Sequence, residues 1–313
     1  MIMSINTSPS IKKLLIVGGT GFIGKHVAKE AIDRGYQVTI ISKNYCAAPD
    51  KLEGAEYILV DITNNQDLWF NLKDKHFQYV INLGGYVNHA NYFEGGGEVL
   101  SDHLTGTMNL VSCVNKKNLQ CFIQIGSSDE YGDTTAPQHE EQREMPISPY
   151  SFAKTAATHF LQMLFRTEKF PAAILRPFLV YGAGQECNRF IPQVIEGCIR
   201  NKKFPLSNGD QLRDFCYIED IVEVIFLVLH HKDIHGEIIN IASGIPISIR
   251  EVVTLIKTLV GLGEPQFGKI PYRNSENMSL YADISKAQSI LNWSPQINLI
   301  NGLEKTIVEY AKD

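Results

Sequence analysis

Residues 18–24 read Gly-Gly-Thr-Gly-Phe-Ile-Gly, directly after the apolar run Leu14-Leu15-Ile16-Val17. Few architectures place glycines at 18, 21 and 24 behind such a run. The pattern predicts a strand over 14–17 and a helix over 22–34, with Ile23, Val27 and Ala31 on one face and Gly35 as its stop. Gly18 then permits a tight turn, Gly21 lets the backbone approach a pyrophosphate, and Gly24 lets the helix pack close to the sheet. The helix N-terminus offers free N–H groups and the positive end of its dipole to the phosphates. Thr20, Phe22 and Ile23 complete the stretch expected to touch a dinucleotide.

The same alternation continues through the first half of the chain. Further strands are expected over 37–42, 56–60, 79–83, 121–125 and 172–175, and further helices over 66–72, 98–115 and 150–166. Strands separated by helices imply crossover connections and a parallel sheet covered on both sides. The expected class is α/β, a Rossmann-type doubly wound parallel sheet. Beyond residue 176, prolines from Pro177 to Pro295 punctuate shorter elements, with helices over 218–230 and 249–261. This predicts a smaller mixed α/β C-terminal substrate lobe. Residues 1–10 are polar and expected to be disordered. Residues 11–176, with returning segments near 213–243, form the expected dinucleotide-binding domain, and 177–313 mainly the substrate lobe.

Composition narrows the function classes. The 313 residues are 44% hydrophobic and 20% charged, an ordinary globular balance. A net charge of −5 gives no general attraction to nucleic acid or anionic membrane. No apolar run has the length of a membrane span, and the polar N-terminus does not resemble a signal peptide, so a cytoplasmic protein is expected. The six cysteines are scattered, with no CxxC pair and no histidine at ligand spacing. Free thiols and no metal site follow.

Tyr150 and Lys154 are four residues apart and share a helix face. A cation there stabilises tyrosinate and pulls the phenol toward working pH, as proton transfer requires. Ser127 and Ser128 follow the strand over 121–125, at the carboxyl end where doubly wound sheets bind ligands. An acid commonly ends the second strand to bind the adenosine ribose, but this chain has Ile41-Ser42-Lys43. Ser42 and Lys43 suit a 2′-phosphate, so the expected cofactor is NAD or NADP, with a lean to NADP. Asp61, after the third strand, is placed to accept from the adenine amine.

Taken together, these motifs resemble the extended short-chain dehydrogenase/reductase superfamily, and within it the epimerase/dehydratase enzymes that modify nucleotide sugars. The glycine loop, Val60-Asp61-Ile62, Gly106-Thr-Met-Asn109, Gly126-Ser127-Ser128-Asp129-Glu130-Tyr131-Gly132 and Tyr150-Ser-Phe-Ala-Lys154 carry the resemblance. So do Arg176-Pro177-Phe178, Arg213-Asp214-Phe215 and the segment from Asp283 to Pro295. The resemblance implies catalytic Ser127, Tyr150 and Lys154, and adds Ile62, Leu83, Gly84, Gly85 and Pro177 to the cofactor set. Ser127, Ser128, Asp129 and Arg213 become the substrate set, with Arg213 on the sugar diphosphate. Leu83-Gly84-Gly85 departs from the two alanines usual there, which gives room near the cofactor. Asp129-Glu130 is displaced by one position from the acid pair of the 4,6-dehydratases. On a strand, such a shift turns a carboxylate to the opposite face, and the string looks more like certain 4-keto-sugar reductases.

The implied activity is an NAD(P)-dependent dehydrogenase or reductase of a nucleotide sugar, most of all at C4. The alternative is a C4 epimerase that keeps NAD tightly bound; a 4,6-dehydratase and a non-catalytic dinucleotide-binding regulator stand behind these. The expected partners are a nucleotide sugar and a second copy of the chain. The homodimer would form through the helices over 98–115 and 150–166, with Phe160 or Leu164 near the contact.

Overall fold

The structure is a computed structural model that describes residues 11–272 and 276–311, so the expected disorder of residues 1–10 lies outside the described residues. Seven parallel strands form the central sheet: β1 (Lys13–Val17), β2 (Gln37–Ser42), β3 (Ala55–Leu59), β4 (Tyr79–Asn82), β5 (Cys121–Ile125), β6 (Ala172–Pro177) and β7 (Ile238–Ile241). Their order is β7-β6-β5-β4-β1-β2-β3. The Rossmann-type α/β class expected from the alternation is therefore the observed one. Strands such as β4, β5 and β7 are buried along their whole length, as a sheet covered on both faces demands. β1 pairs with β2 on one side and β4 on the other. The winding reverses there, which opens a crevice above the carboxyl ends of β1 and β4.

Helices α1 (Phe22–Asp33), α2 (Asn65–Leu72), α3 (Gly96–Leu100), α4 (Gly106–Cys113) and α5 (Pro149–Glu168) belong to the sheet. Apolar residues of α2, α4 and α5 fill one face, among them Leu68, Leu110 and Leu161. On the other face, Val27 and Ala31 of α1 pack with α7 (Ile218–His230). That core runs on into the C-terminal lobe, built from α6 (Phe190–Ile199), α8 (Ile249–Val260), α9 (Ser285–Leu291) and α10 (Leu299–Tyr310). Short strand pairs complete the lobe, including Leu212–Arg213 between Ile247–Ser248 and Ser279–Leu280.

One expected helix is not regular. The segment predicted over 98–115 divides into α3, a π turn at Ser101–Thr105, and α4. The extra residue in that turn accompanies a buried His103 ring, and the Thr107 hydroxyl donates to the His103 carbonyl at 2.7 Å. α4 ends at Cys113 because Val114 is extended. α5 begins where Pro149 takes its first position and Ser148 caps it, in a box with Ser151. Of the two residues expected near a dimer contact, Leu164 is buried in the sheet core, and the partly buried Phe160 packs against the same cluster. Met108, Phe152 and Met163 are the large apolar side chains that α4 and α5 expose.

The end of β5 is anchored to β6 by a buried ion pair. The Arg176 Nε and Nη2 atoms lie 3.0 and 2.7 Å from Glu130 Oε2, and Nη2 also reaches Glu144 at 2.7 Å. Both side chains of the Arg176–Glu130 pair are fully buried. The Thr158 hydroxyl donates to the same Glu130 oxygen at 2.8 Å, and the Ser127 N–H donates to its other oxygen at 2.9 Å. Removing one member of a buried ion pair costs about 3–5 kcal/mol, because the other charge stays buried and underpaired. Glu130→Ala should therefore lower the unfolding free energy by about 3 kcal/mol in a denaturant titration; a loss under about 1 kcal/mol would show that Glu144 alone satisfies Arg176.

Candidate active site

The glycine loop fits a dinucleotide pyrophosphate. Gly18 has φ +75°, and a Cβ on it would stand 2.8 Å from the Leu83 carbonyl oxygen. A Cβ on Gly24 would overlap the Gly18 carbonyl. α1 starts after Gly21 with no side-chain cap and no acid in its first turn, so its leading amides are free for an anion. The half-buried Phe22 and Ile23 form that first turn. Ile23 also lines an apolar cavity with Pro177, Ile125 and Ile241, which brings the loop and the end of β6 together. Ile62 packs against Gly84 and Gly106, beside Leu83 at the end of β4.

The ribose end gives the lean to NADP no support. Ser42 contacts the Thr20 hydroxyl at 3.1 Å. The Lys43 ammonium, instead of standing ready for a phosphate, pairs with Asp61 at 3.0 Å and Asp102 at 3.4 Å. Two carboxylates about one cation leave this corner net negative, which opposes a 2′-phosphate. Asp61, expected to accept from adenine, accepts from the Thr63 N–H and hydroxyl at 2.9 and 2.8 Å.

The three expected catalytic side chains converge. Ser127 follows β5, Tyr150 stands in the first turn of α5, and Lys154 one turn later. The Lys154 ammonium donates to the Ile125 carbonyl at 2.8 Å and lies 5.9 Å from the Tyr150 ring centroid. Burial pushes Lys154 down to about 8, against the opposing charges of Glu130 and Asp129. Burial, then the charge of Asp129, pushes Tyr150 up, opposed by its hydrogen bond with Ser127. The spacing alone suggested a phenol lowered by Lys154; in the folded chain burial and the two carboxylates outweigh the cation and hold Tyr150 protonated.

Asp129 also departs from expectation. Residues Ser128–Tyr131 form a 3-10 turn, so strand alternation does not govern them. Asp129 lines a cleft, while Glu130 is the buried partner of Arg176. Ser128 is buried away from solvent. Arg213 is mostly buried, pairs with Glu276, and acts electrostatically on Asp129. Its neighbour Asp214 is committed to Ser243, Gly244 and Ala282.

Sequence reasoning missed two histidines. The His103 ring meets Tyr150 edge-on, with centroids 5.1 Å apart, and its Nε2 hydrogen bonds to the Tyr86 carbonyl at 3.0 Å. Burial, reinforced by the Lys154 charge, pushes His103 down to about 3, so it is neutral. Its ring fills the space above Gly85, where φ is +107° and any Cβ would overlap the imidazole. The room left by Leu83-Gly84-Gly85 is thus occupied by protein rather than kept for cofactor, and the missing alanine was the one hint of it. The second, His89, meets Tyr150 edge-on at 5.6 Å, and its Nε2 lies 3.6 Å from Asp129 Oδ2. No periodicity marks His89. Among the described residues, no cluster of His, Cys, Asp or Glu is placed to hold a metal ion, and no helix is long and apolar enough to cross a membrane.

Lys154 carries its charge below about 8 and loses it above. If that charge serves turnover, kcat/KM, which reports the free enzyme, should fall about tenfold per pH unit on the alkaline side of this value. A profile level to about pH 10, where an ordinary lysine titrates, would mean that turnover does not need the charge.

The model of the NAD dependent epimerase/dehydratase family matches residues 14–242. A putative UDP-glucose 4-epimerase of Methanocaldococcus jannaschii is 29% identical, covering 96% of this chain and 98% of its own. A UDP-glucuronate 4-epimerase of Thermodesulfobacterium geofontis is 28% identical, covering 94% of each. The crystal structure of a UDP-glucuronic acid 4-epimerase from Bacillus cereus, in complex with UDP-glucuronic acid and NAD, superposes with a TM-score of 0.85 at 26% identity, covering 96% of this chain and 99% of the other.

Proposed function

Because the chain belongs to the NAD dependent epimerase/dehydratase family, we propose that it inverts C4 of a UDP-sugar with NAD held on the Gly18–Gly24 loop. The carrying observation is the convergence of the half-buried Ser127 with the buried Tyr150 and Lys154 at the end of β5, in a fold whose uncapped α1 offers a pyrophosphate site. The net dehydrogenase or reductase expected first from the sequence uses the same three residues. The 4-epimerases among the relatives favour inversion over net redox change. The negative corner at Lys43 favours NAD over NADP, as does the NAD complex of the Bacillus cereus enzyme.

Bound nicotinamide supplies a reversible acceptor for the hydrogen at C4. Tyr150 exchanges the proton of the C4 oxygen, and Ser127 orients that oxygen. The Lys154 cation, on the same helix face as Tyr150, would hold the nicotinamide ribose. Arg213 and Arg189 bring positive charge to the cleft, acting on Asp129 and Tyr150 respectively, and suit the sugar diphosphate. The protein would act as a homodimer, with Met108, Phe152 and Met163 at the contact.

Tyr150→Phe removes the proton carrier and keeps the ring. Interconversion of UDP-glucose with UDP-galactose, or of the corresponding uronic acids, should fall by about 100-fold or more, with NAD binding unchanged. Near-wild-type turnover in the variant would overturn the assignment. Fluorescence titration of the apo protein should show NAD binding more tightly than NADP; the reverse order would mean that Lys43 leaves its carboxylates for a 2′-phosphate.

A further inference from the structure

Arg213, assigned above to the sugar diphosphate, already holds an anion that the chain itself supplies. It lies on the short strand Leu212–Arg213, and Ser279–Leu280 runs beside it, pairing Ser279 with Leu212 and Leu280 with Arg213. That pairing brings the carboxylate of Glu276, just ahead of the second strand, onto Arg213 Nη2. The two side chains are 11% and 19% exposed, so solvent screens their attraction poorly. Arg213 Nη1 donates to the Leu212 carbonyl at 2.8 Å, which holds the guanidinium from its other amino group. The same segment borders the reaction cleft. Asn277, next to Glu276, donates to the Gly132 carbonyl at 2.8 Å and lines the cleft with Asp129, on which the Arg213 charge also acts. As a stabilising device the pair is weak, since a shielded ion pair gains little over apolar packing. Glu276 lies outside any helix or strand, where backbone hydrogen bonding does not hold it in one place.

We propose that Glu276 sets the affinity for the nucleotide sugar: it occupies Arg213 before substrate binds and gives the guanidinium up to the incoming diphosphate. This rests on the reading of Arg213 above. Carboxylate and phosphate are both planar or near-planar oxygen acceptors for the same guanidinium fork, so they compete for it, and at close range their like charges repel. The exchange replaces one charge-assisted hydrogen bond by another, so the attraction between phosphate and arginine is partly offset by the loss of Glu276. Arg213 is thereby paired at every stage, which avoids an uncompensated buried charge. A diphosphate held less tightly loosens substrate and product alike, and product release limits many turnover rates. Glu276 does this without touching the sugar.

The test is calorimetric binding of UDP and of uridine to the enzyme with NAD, so it needs no turnover. Glu276→Gln removes the competing charge and should tighten UDP about tenfold, while uridine, which carries no phosphate, binds as before. Glu276→Ala should do the same and replaces it if glutamine at 276 disturbs folding, with retained NAD binding as the check. Arg213→Gln should weaken UDP about tenfold or more. In that background Glu276→Gln should change UDP binding by no more than about threefold, because the two residues act as one unit. Unchanged UDP binding in the Glu276 variants overturns the proposal. Weaker UDP binding does so too, since it makes Glu276 a carboxylate that orients Arg213 for the phosphate. Equal tightening of uridine, or full tightening without Arg213, also overturns it. Arg213→Gln that binds UDP as tightly as the native protein removes the diphosphate reading of Arg213, and Glu276 falls with it. C4 inversion of UDP-glucose, assayed in parallel on the native protein, separates this from the C4 reading. Tighter UDP binding in Glu276→Gln without native inversion sustains Glu276 and sinks the C4 reading; inversion with UDP binding indifferent to Glu276 does the opposite.

Discussion

The site hangs on one buried carboxylate. Glu130 receives the Arg176 guanidinium and the Thr158 hydroxyl on one oxygen and the Ser127 N–H on the other. It thereby joins the end of β5 to β6 and α5, close to where Ser127, Tyr150 and Lys154 meet. The Arg176 guanidinium also stacks 4.7 Å from the Tyr131 ring, whose hydroxyl donates to Asn240 at 2.7 Å on β7. A buried pair of this kind adds little net stability over apolar packing. Here it sets geometry: with Glu130 drawn inward, the 3-10 turn leaves Asp129 lining the cleft and Ser127 hydrogen bonded with Tyr150.

Electrostatics at Tyr150 follow from that geometry. Two carboxylates close to a buried phenol favour its protonated form, and burial disfavours the charged form of Lys154. Tyrosine as acid and lysine near its titration point are the opposite of a resting tyrosinate–ammonium pair. The protein therefore stores a proton at Tyr150 in the described state. A positive cofactor bound in the crevice would shift that balance toward release.

The π turn and the glycine pair at the end of β4 form a second linked set. A bulky ring at 103 can face Tyr150 only because Gly85 has no side chain and because the helix widens by one residue there. In exchange, Tyr150 gains a neutral aromatic wall from the π turn. His89 gives it a second ring contact from the loop after β4. His89 and His103, close in sequence, thus flank one phenol on α5.

Much of this was legible in the chain. The glycine turn, the strand–helix alternation and the shared face of Tyr150 and Lys154 are local patterns, set by backbone sterics and by the periods of helix and strand. They sufficed for the fold class and for the three side chains that meet beside β5. The strand-alternation argument for Asp129 and Glu130 fails because the residues after β5 leave the extended conformation, and with it the alternation of faces. Local spacing gives no sign that Lys43 meets Asp102, 59 residues away. Arg213 finds Glu276, 63 residues on, and Gly85 makes room for a histidine on another element. The sequence by itself determined which elements form and which chemistry-bearing residues share a helix or end a strand. Tertiary structure alone decided which charges neutralise one another and which acid lines the cleft, because a charge's partner is chosen by distance in space, for which neighbouring residues carry no pattern.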